Sequence, residues 1–557
     1  MTNFTKNKSN MKRYIILCAA SILMSGSIYA QKDTLNAVVQ VENDYTPTVT
    51  KASKINATPQ IELQNSNAPL DIVFSQKAHP FKQFTSERNV KEVLPTQQEQ
   101  KPGYARLGYG TNNNIDAKAI YSIAPTKRDH IELQGSFGGY STRLDGISNK
   151  WDSRFYSTGI GAQYTHKFTP FSLGVEARMT NDVFNYQTYD FFERGTDKQN
   201  SASYGLLTKI ISRSTGALSY KADIGYYMNT RKYSAARKER ITENHITAGG
   251  NIEYELPNED IRRIGADLAI NSFLYNGAMR PKAGGKYKDY TSVRLSPYLD
   301  FNINGIGIRL GVNTDILNAN GAFFSIAPNC SIEGKLNDNI SFFASATGGR
   351  TLNSFAVIEE LSPYWLYTPG DRQYSATYNI ADVNGGARFS LAPLSAGIAA
   401  GYSYTKDDLM SCLSAYDIIG TSFAQAISRN LYVCGNIGYD YGGWLKFSGE
   451  ARYDHWSCTG EDYYLLYKPM ITASLKTEAR LYDGLYATIG YTFTGYTKAG
   501  RLRKEEMNLL NAKVNYKFHK QFAAYIQGNN LLGSKHHLFP GCEAQGANVL
   551  GGISVNF

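Results

Sequence analysis

What the chain lacks narrows its class first. It has no apolar stretch approaching the roughly 20 residues that a membrane-spanning helix needs, and the one run that stands out, residues 14–24, is about half that length. A helical membrane protein is thereby excluded. Its six cysteines (Cys18, Cys330, Cys412, Cys434, Cys458 and Cys542) are widely spaced and form no C-x-x-C, so no zinc or dithiol motif is present and no disulfide is expected. No H-E-x-x-H, G-x-S-x-G or phosphate-binding glycine loop occurs, and the eight histidines are scattered. These absences argue against an enzyme, a metal site or a cofactor. A clustered charge excess is missing as well. The 58 basic and 48 acidic residues leave +10, spread along the chain, which does not suit a nucleic-acid partner.

What is present begins with an N-terminal leader. Lys12 and Arg13 precede the apolar run, and Ser27-Ile28-Tyr29-Ala30 supplies a small residue at a cleavage point, so residues 1–30 read as a secretory signal. Cys18 has no lipobox before it. Residues 31–100 are polar, carry Pro47, Pro59, Pro69, Pro80 and Pro95, and show no sustained period. They read as an extended periplasmic arm or a linker rather than a packed domain.

From residue 101 to 557 the chain alternates. Ile471, Ala473, Leu475, Thr477, Ala479 and Leu481 interleave with Thr472, Ser474, Lys476, Glu478 and Arg480, and Leu510, Ala512, Val514, Tyr516 and Phe518 interleave with Asn511, Lys513, Asn515 and Lys517. A period of two sustained over ten or more residues puts one face in an apolar medium and the other in a polar one. Such segments are about twice as long as the roughly five or six residues of ordinary strands, and match a tilted crossing of about 9–11. About 22 of them can be counted, which gives an all-β, transmembrane antiparallel barrel. Short connections (168–169, 214–216, 303–304, 336–337, 392–393, 442–443, 482–484 and 519–520) fall on one side. Long ones (140–152, 181–200, 230–242, 275–288, 349–373, 456–463, 497–504 and 531–546) fall on the other. That is the asymmetry between periplasmic turns and extracellular loops. Connections 111–112, 317–321 and 417–420 are short on the long side and break the pattern. The 41 Tyr, 26 Phe and 50 Gly, and the Trp151, Trp365, Trp444 and Trp456 at strand ends or in loops, suit aromatic girdles at bilayer interfaces.

The final strand ends Gly552-x-x-Val555-x-Phe557. This resembles the signal by which the barrel assembly machinery recognises outer-membrane barrels for insertion. The stretch from Ile526 through Asn529-Asn530-Leu531 to Lys535, then Phe539-Pro540-Gly541 and the terminal Phe557, resembles the closing strands of TonB-dependent receptors. In overall style the chain resembles Bacteroidetes barrels of this kind. The resemblance implies an outer-membrane location and uptake of a solute or nutrient. It departs from the family in one respect: residues 31–100 are too few and too poor in glycine for the plug domain that fills such receptors. Thr34 to Val41 is similar to the short stretch by which those receptors touch TonB, and a generic apolar run explains it equally well. A TonB-type or other periplasmic partner, and a surface lipoprotein, are the partners this implies beside outer-membrane lipid. The alternative is a non-transporting scaffold that docks a periplasmic protein or lipoprotein through residues 31–100.

The connection 349–373 stands out. Asn353 is positioned to cap a short helix running from Ser354 to Leu361, and Tyr364, Trp365 and Tyr367 cluster before Pro369-Gly370. One expectation is an inward-folded loop that narrows the pore and offers these three aromatic faces to a ligand. The other is a loop whose aromatics pack on neighbouring loops.

Overall fold

The computed structural model describes residues 101–557 apart from 144–151, 187–197, 214–215, 233–239, 258–260, 277–286, 320–323, 366–372, 416–418, 499–505 and 541. The expected leader and arm (1–30 and 31–100), Trp151 and Tyr367 lie outside the described residues.

A single antiparallel sheet of 22 strands closes on itself. Each strand pairs with the next in sequence, and the first, Gly103–Gly110, pairs with the last, Asn548–Asn556, setting Tyr104 opposite Asn556 and Gly110 opposite Leu550. Closure leaves no backbone donor or acceptor at a free edge, which is the condition for crossing lipid with strands. The alternation decides which face is which. Leu107, Ile160, Ile224, Ile398 and Ile553 point outward and are 57–67% exposed, a belt that only an apolar solvent satisfies. Residues of the opposite parity face inward, and charged ones among them are paired: Arg106 with Asp116 at 3.0 Å, Arg309 with Asp300 at 2.7 Å, Arg452 with Asp454 at 2.7 Å. Lys476, Glu478 and Lys513 share that inner face, Lys476 pairing with Glu478 at 2.5 Å and the Lys513 ammonium lying 4.8 Å over the Tyr525 ring.

The short turns gather at one end. Asn304-Gly305 and Gly442-Gly443 have positive φ throughout, the conformation that matches strand twist in a tight hairpin. Trp444 is exposed there beside Tyr441, in a girdle position. Of the three connections that broke the pattern, two have a structural reason. At 111–113 a single 3-10 turn holds Asn112 and Asn113 in the left-handed region. At 417–420 the loop is short because the strands on either side, Leu394–Ala415 and Ile419–Tyr441, run to 22 and 23 residues and stand above their neighbours. The last outer connection carries a small hairpin, His537–Phe539 with Cys542–Glu543.

The five described cysteines form no disulfide. Cys542 is buried, and burial pushes its thiol well above the ordinary range. Maleimide applied to the folded protein is therefore expected to leave Cys542 unlabelled and to react with it only after denaturation, as peptide mass analysis would read out.

Candidate functional site at the barrel mouth

On the inner face, polar side chains give way to apolar ones as the strands approach the long-loop end. Phe184, Ile241, Phe273 and Tyr290 are all buried there and all occupy lumen-facing positions. This apolar rim draws in the connection between strands Ile340–Leu352 and Ala376–Leu391. Its helix, Phe355–Leu361, starts one residue later than the sequence suggested, because the Ser354 hydroxyl accepts from the Val357 amide (3.3 Å) and is the cap. Asn353 instead reaches Thr377, at 3.3 Å. Phe355, Ile358 and Trp365 pack with Ile241 of the wall and with Leu409 and Phe423 of the long hairpin.

Two charged residues of the wall hold this inward segment, which we call the strap. Glu243, on strand Arg240–Glu255, is fully buried. It accepts from the Phe355 amide (3.0 and 3.1 Å), the Tyr275 hydroxyl (2.9 Å) and the Asn229 amide (3.2 Å), so a carboxylate sits at the helix's positive end with its acceptors used. Arg231, on strand Leu218–Lys232, pairs with Glu359 of the helix and donates to the Tyr186 hydroxyl (2.9 Å) and to the carbonyls of Pro363 (2.7 Å) and Trp365 (3.0 Å). Its guanidinium also lies over the rings of Phe184 (5.1 Å) and Trp365 (4.7 Å). Glu359 accepts in addition from Ser201 (2.8 Å) and from the Trp365 indole (3.1 Å). Breaking such a buried pair by removing one partner costs about 3–5 kcal/mol.

The strap then meets the other side of the mouth. Tyr364 is buried among Phe184, Tyr186, Phe539 and Cys542, with the Phe184 ring edge-on at 5.3 Å, and burial pushes its hydroxyl far above the usual tyrosine range. The Tyr364 carbonyl accepts from the Thr421 amide at 3.0 Å, and the Ser362 and Thr421 hydroxyls are 2.7 Å apart. Residues 355–365 of this connection pack against lumen-facing residues of the wall and against neighbouring elements of the mouth. The rings of Tyr364 and Trp365 are covered by protein rather than turned to the lumen, because the apolar rim offers them partners. For the same reason Trp365 belongs to the mouth and not to a membrane girdle.

What does open on free space is a cavity of about 290 Å³ beneath the helix. Thr180, Asp182, Ser201, Ser203, Asn229 and Arg231 line it from three adjacent strands, and Phe355, Glu359 and Glu360 from the strap. Most of the lining surface is apolar, with Phe355 and Ala356 in the roof, and hydroxyls, an amide, carboxylates and the Arg231 guanidinium supply the few polar groups that orient a solute. Among the described residues no group of three or more His, Cys, Asp or Glu could hold a metal. Reasoning from sequence missed Arg231, Asp182 and Phe184, all assigned to loops. The available signal was the continuation of polar and apolar alternation past the point where the outward face stops being greasy.

No protein-family model matches the chain, and no curated protein matches it. Solved structures do. The iron transporter FrpB of Neisseria meningitidis superposes with a TM-score of 0.62 at 12% identity, over 83% of this chain and 82% of that one. The ferric enterobactin receptor PfeA of Pseudomonas aeruginosa gives 0.61 at 11%, over 83% and 81%. The ferric-catecholate import receptor Fiu of E. coli K12 gives 0.61 at 9%, over 83% and 82%. At such identities the shared property is the fold, a large closed antiparallel β-barrel.

Proposed function

We propose, from a chain that has the receptor-type barrel, that it takes up a solute or nutrient across the outer membrane and that the cavity under the strap is where the solute is first held. The observation that carries this reading is the cavity itself: a mostly apolar recess at the outer mouth with hydrogen-bonding groups set into it, roofed by a loop that the barrel wall fixes in place. Tyr364 and Trp365 contribute by positioning Glu359 and the carbonyls around Arg231, and Tyr367 follows them in the same connection. The solved relatives are named for iron, ferric enterobactin and ferric catecholates, so iron and its catechol complexes are the first solutes to try here. Residues 1–30 serve as the export signal. Residues 31–100 offer the contact for a TonB-type periplasmic partner, and a surface lipoprotein is a second candidate partner. Gly552, Val555 and Phe557 present the strand that the assembly machinery reads.

The test compares cells carrying the wild-type chain with cells carrying Ser203→Phe, which fills the recess and gives up the Ser203–Asn229 hydrogen bond (2.7 Å) while removing no direct partner of Arg231 or Glu243. Accumulation of labelled ferric-catechol complexes and of free metal and sugar panels is followed. Loss of one solute's uptake in Ser203→Phe, with normal amounts of folded barrel, supports the reading. Equal accumulation of every solute with or without the protein, together with a periplasmic protein retrieved only when residues 31–100 are present, would overturn it in favour of a scaffold.

The insertion role has its own check. Phe557 exchanges two backbone hydrogen bonds with Gly103 (2.8 and 2.9 Å) and stacks on Tyr121 at 6.1 Å. Deleting Phe557 is expected to remove most of the folded barrel from the outer membrane, read as loss of the heat-modifiable gel band. Unchanged band intensity would show that the closing strand is recognised without it.

A further inference from the structure

The strand ladder is irregular along one continuous line. Between strands Ile340–Leu352 and Ala376–Leu391 the register shifts at Thr347/Gly349, skipping Gly348 and, on the partner, Ile380 and Ala381. Between Ala376–Leu391 and Leu394–Ala415 it shifts at Asn379/Ala381, skipping Ile380. Between Leu394–Ala415 and Ile419–Tyr441 it shifts at Thr405/Asp408, skipping Lys406, Asp407 and, on the partner, Ile427. The rows on either side align: Gly349 pairs with Asn379, Asn379 with Thr405, Thr405 with Ser428. Bulges bend and twist the strands that carry them, and four bulged strands side by side define a fold line. The backbone along it is specialised. Asp407 sits at φ +53, and a side chain at Gly348 would strike the carbonyls of Asn379 (2.8 Å) and Ile380 (2.7 Å).

Burial changes across this line. Below it, Ile398 and Tyr402 of the long hairpin face outward and are exposed. Above it, the consecutive residues Leu409 and Met410 are both buried, so the hairpin is covered on both faces. Leu409 and Phe423 pack on the strap; Met410, Cys412 and Ala426 form a cluster of their own, with Tyr464 of the 3-10 turn Asp462–Leu465 packed against it. The hairpin end has therefore turned in over the mouth, where it is joined to the strap through Thr421. At the Gly348 end the line is anchored to the wall: the Arg350 amide donates to Asp315 (3.0 Å) and its guanidinium to Ser325 (2.9 Å).

We infer that strap residues 354–365 and hairpin residues 408–413 and 420–426 form one lid, hinged along the bulge line and latched to the far wall by Arg231 and Glu243. The lid closes the mouth with the barrel's own strands. It swings as a unit because the strap and hairpin share the Ser362–Thr421 contact, the Tyr364–Thr421 backbone bond and an apolar interface. Asp408 steadies the hinge in the closed position, accepting from Ser428 (2.7 Å) and pairing with Lys468 (3.1 Å), whose ammonium lies 4.7 Å over Trp456.

Hydrogen exchange of the full chain in detergent tests this, and its readout does not depend on whether any solute is carried. In Arg231→Ala, amides of 355–361, 408–413 and 420–426 are expected to accelerate together by about tenfold or more, while 394–404 and 430–440 keep wild-type rates. Adding Thr421→Pro, which removes the joining amide, should let the strap accelerate without the hairpin end. Gel mobility of the unheated sample confirms that each barrel is folded. The inference fails if Arg231→Ala loosens the strap and leaves 408–413 and 420–426 protected, if loosening spreads below the bulge line, or if nothing changes.

Discussion

Ile224→Lys is expected to prevent stable insertion, and Asp223→Asn, one residue away, to be tolerated. Ile224 is at the centre of strand Leu218–Lys232 and is 67% exposed on the outer wall. In water that exposure would be a liability; in lipid it is full burial. Placing a lysine near the bilayer midplane costs about 2–4 kcal/mol on the lipid face of a barrel, and the lost apolar contact adds about 1.5–3 more. Asp223 points into the lumen, where an amide is solvated as well as a carboxylate. Urea unfolding of the two variants in liposomes gives the comparison. An Ile224→Lys barrel as stable as wild type would mean that the outer wall does not meet lipid at that height, and the assignment of faces would fail with it.

The second large effect is at Glu243. Removing its carboxylate with Glu243→Ala strands the Phe355 amide, the Tyr275 hydroxyl and the Asn229 amide in a buried site. Each unsatisfied group costs about 1–3 kcal/mol, so the strap helix should lose most of its protection. Glu243→Gln keeps one acceptor oxygen and loses the charge at the helix's positive end, and should fall between wild type and Ala. Surface proteolysis of intact cells reads this directly: nicking within 353–375 should be fastest in Ala, intermediate in Gln and slowest in wild type. Equal rates in Ala and wild type would show that packing of Phe355 and Ile358 alone holds the strap.

The barrel could be read from sequence because the bilayer imposes a strict two-faced rule on each strand. Segments such as 471–481 and 510–518 have no other way to satisfy both faces, and the strand found at Leu485–Tyr496 has the same bounds as expected. The rule lapses above the membrane. Arg231 was placed in a loop because Thr230 and Lys232 beside it are no longer greasy, although the strand continues to Lys232. Phe184 was lost in the same way, since an inward-facing aromatic at a strand end looks like a loop residue until a partner is known. The short helix after Asn353 was visible from its capping pattern, because a cap is a local signal. The partners of Tyr364 and Trp365 were not, because they come from Phe184, Phe355, Arg231 and Thr421, which are brought together only by closure of the sheet.

That closure has a consequence for how the chain is made. Among the described residues strand Gly103–Gly110 has its second neighbour in Asn548–Asn556, so the assembling sheet keeps an open seam until the last strand is in place. Any product cut short before Asn548 has two such seams, each a template for pairing with another copy. Half a barrel is therefore a sticky sheet rather than a smaller pore.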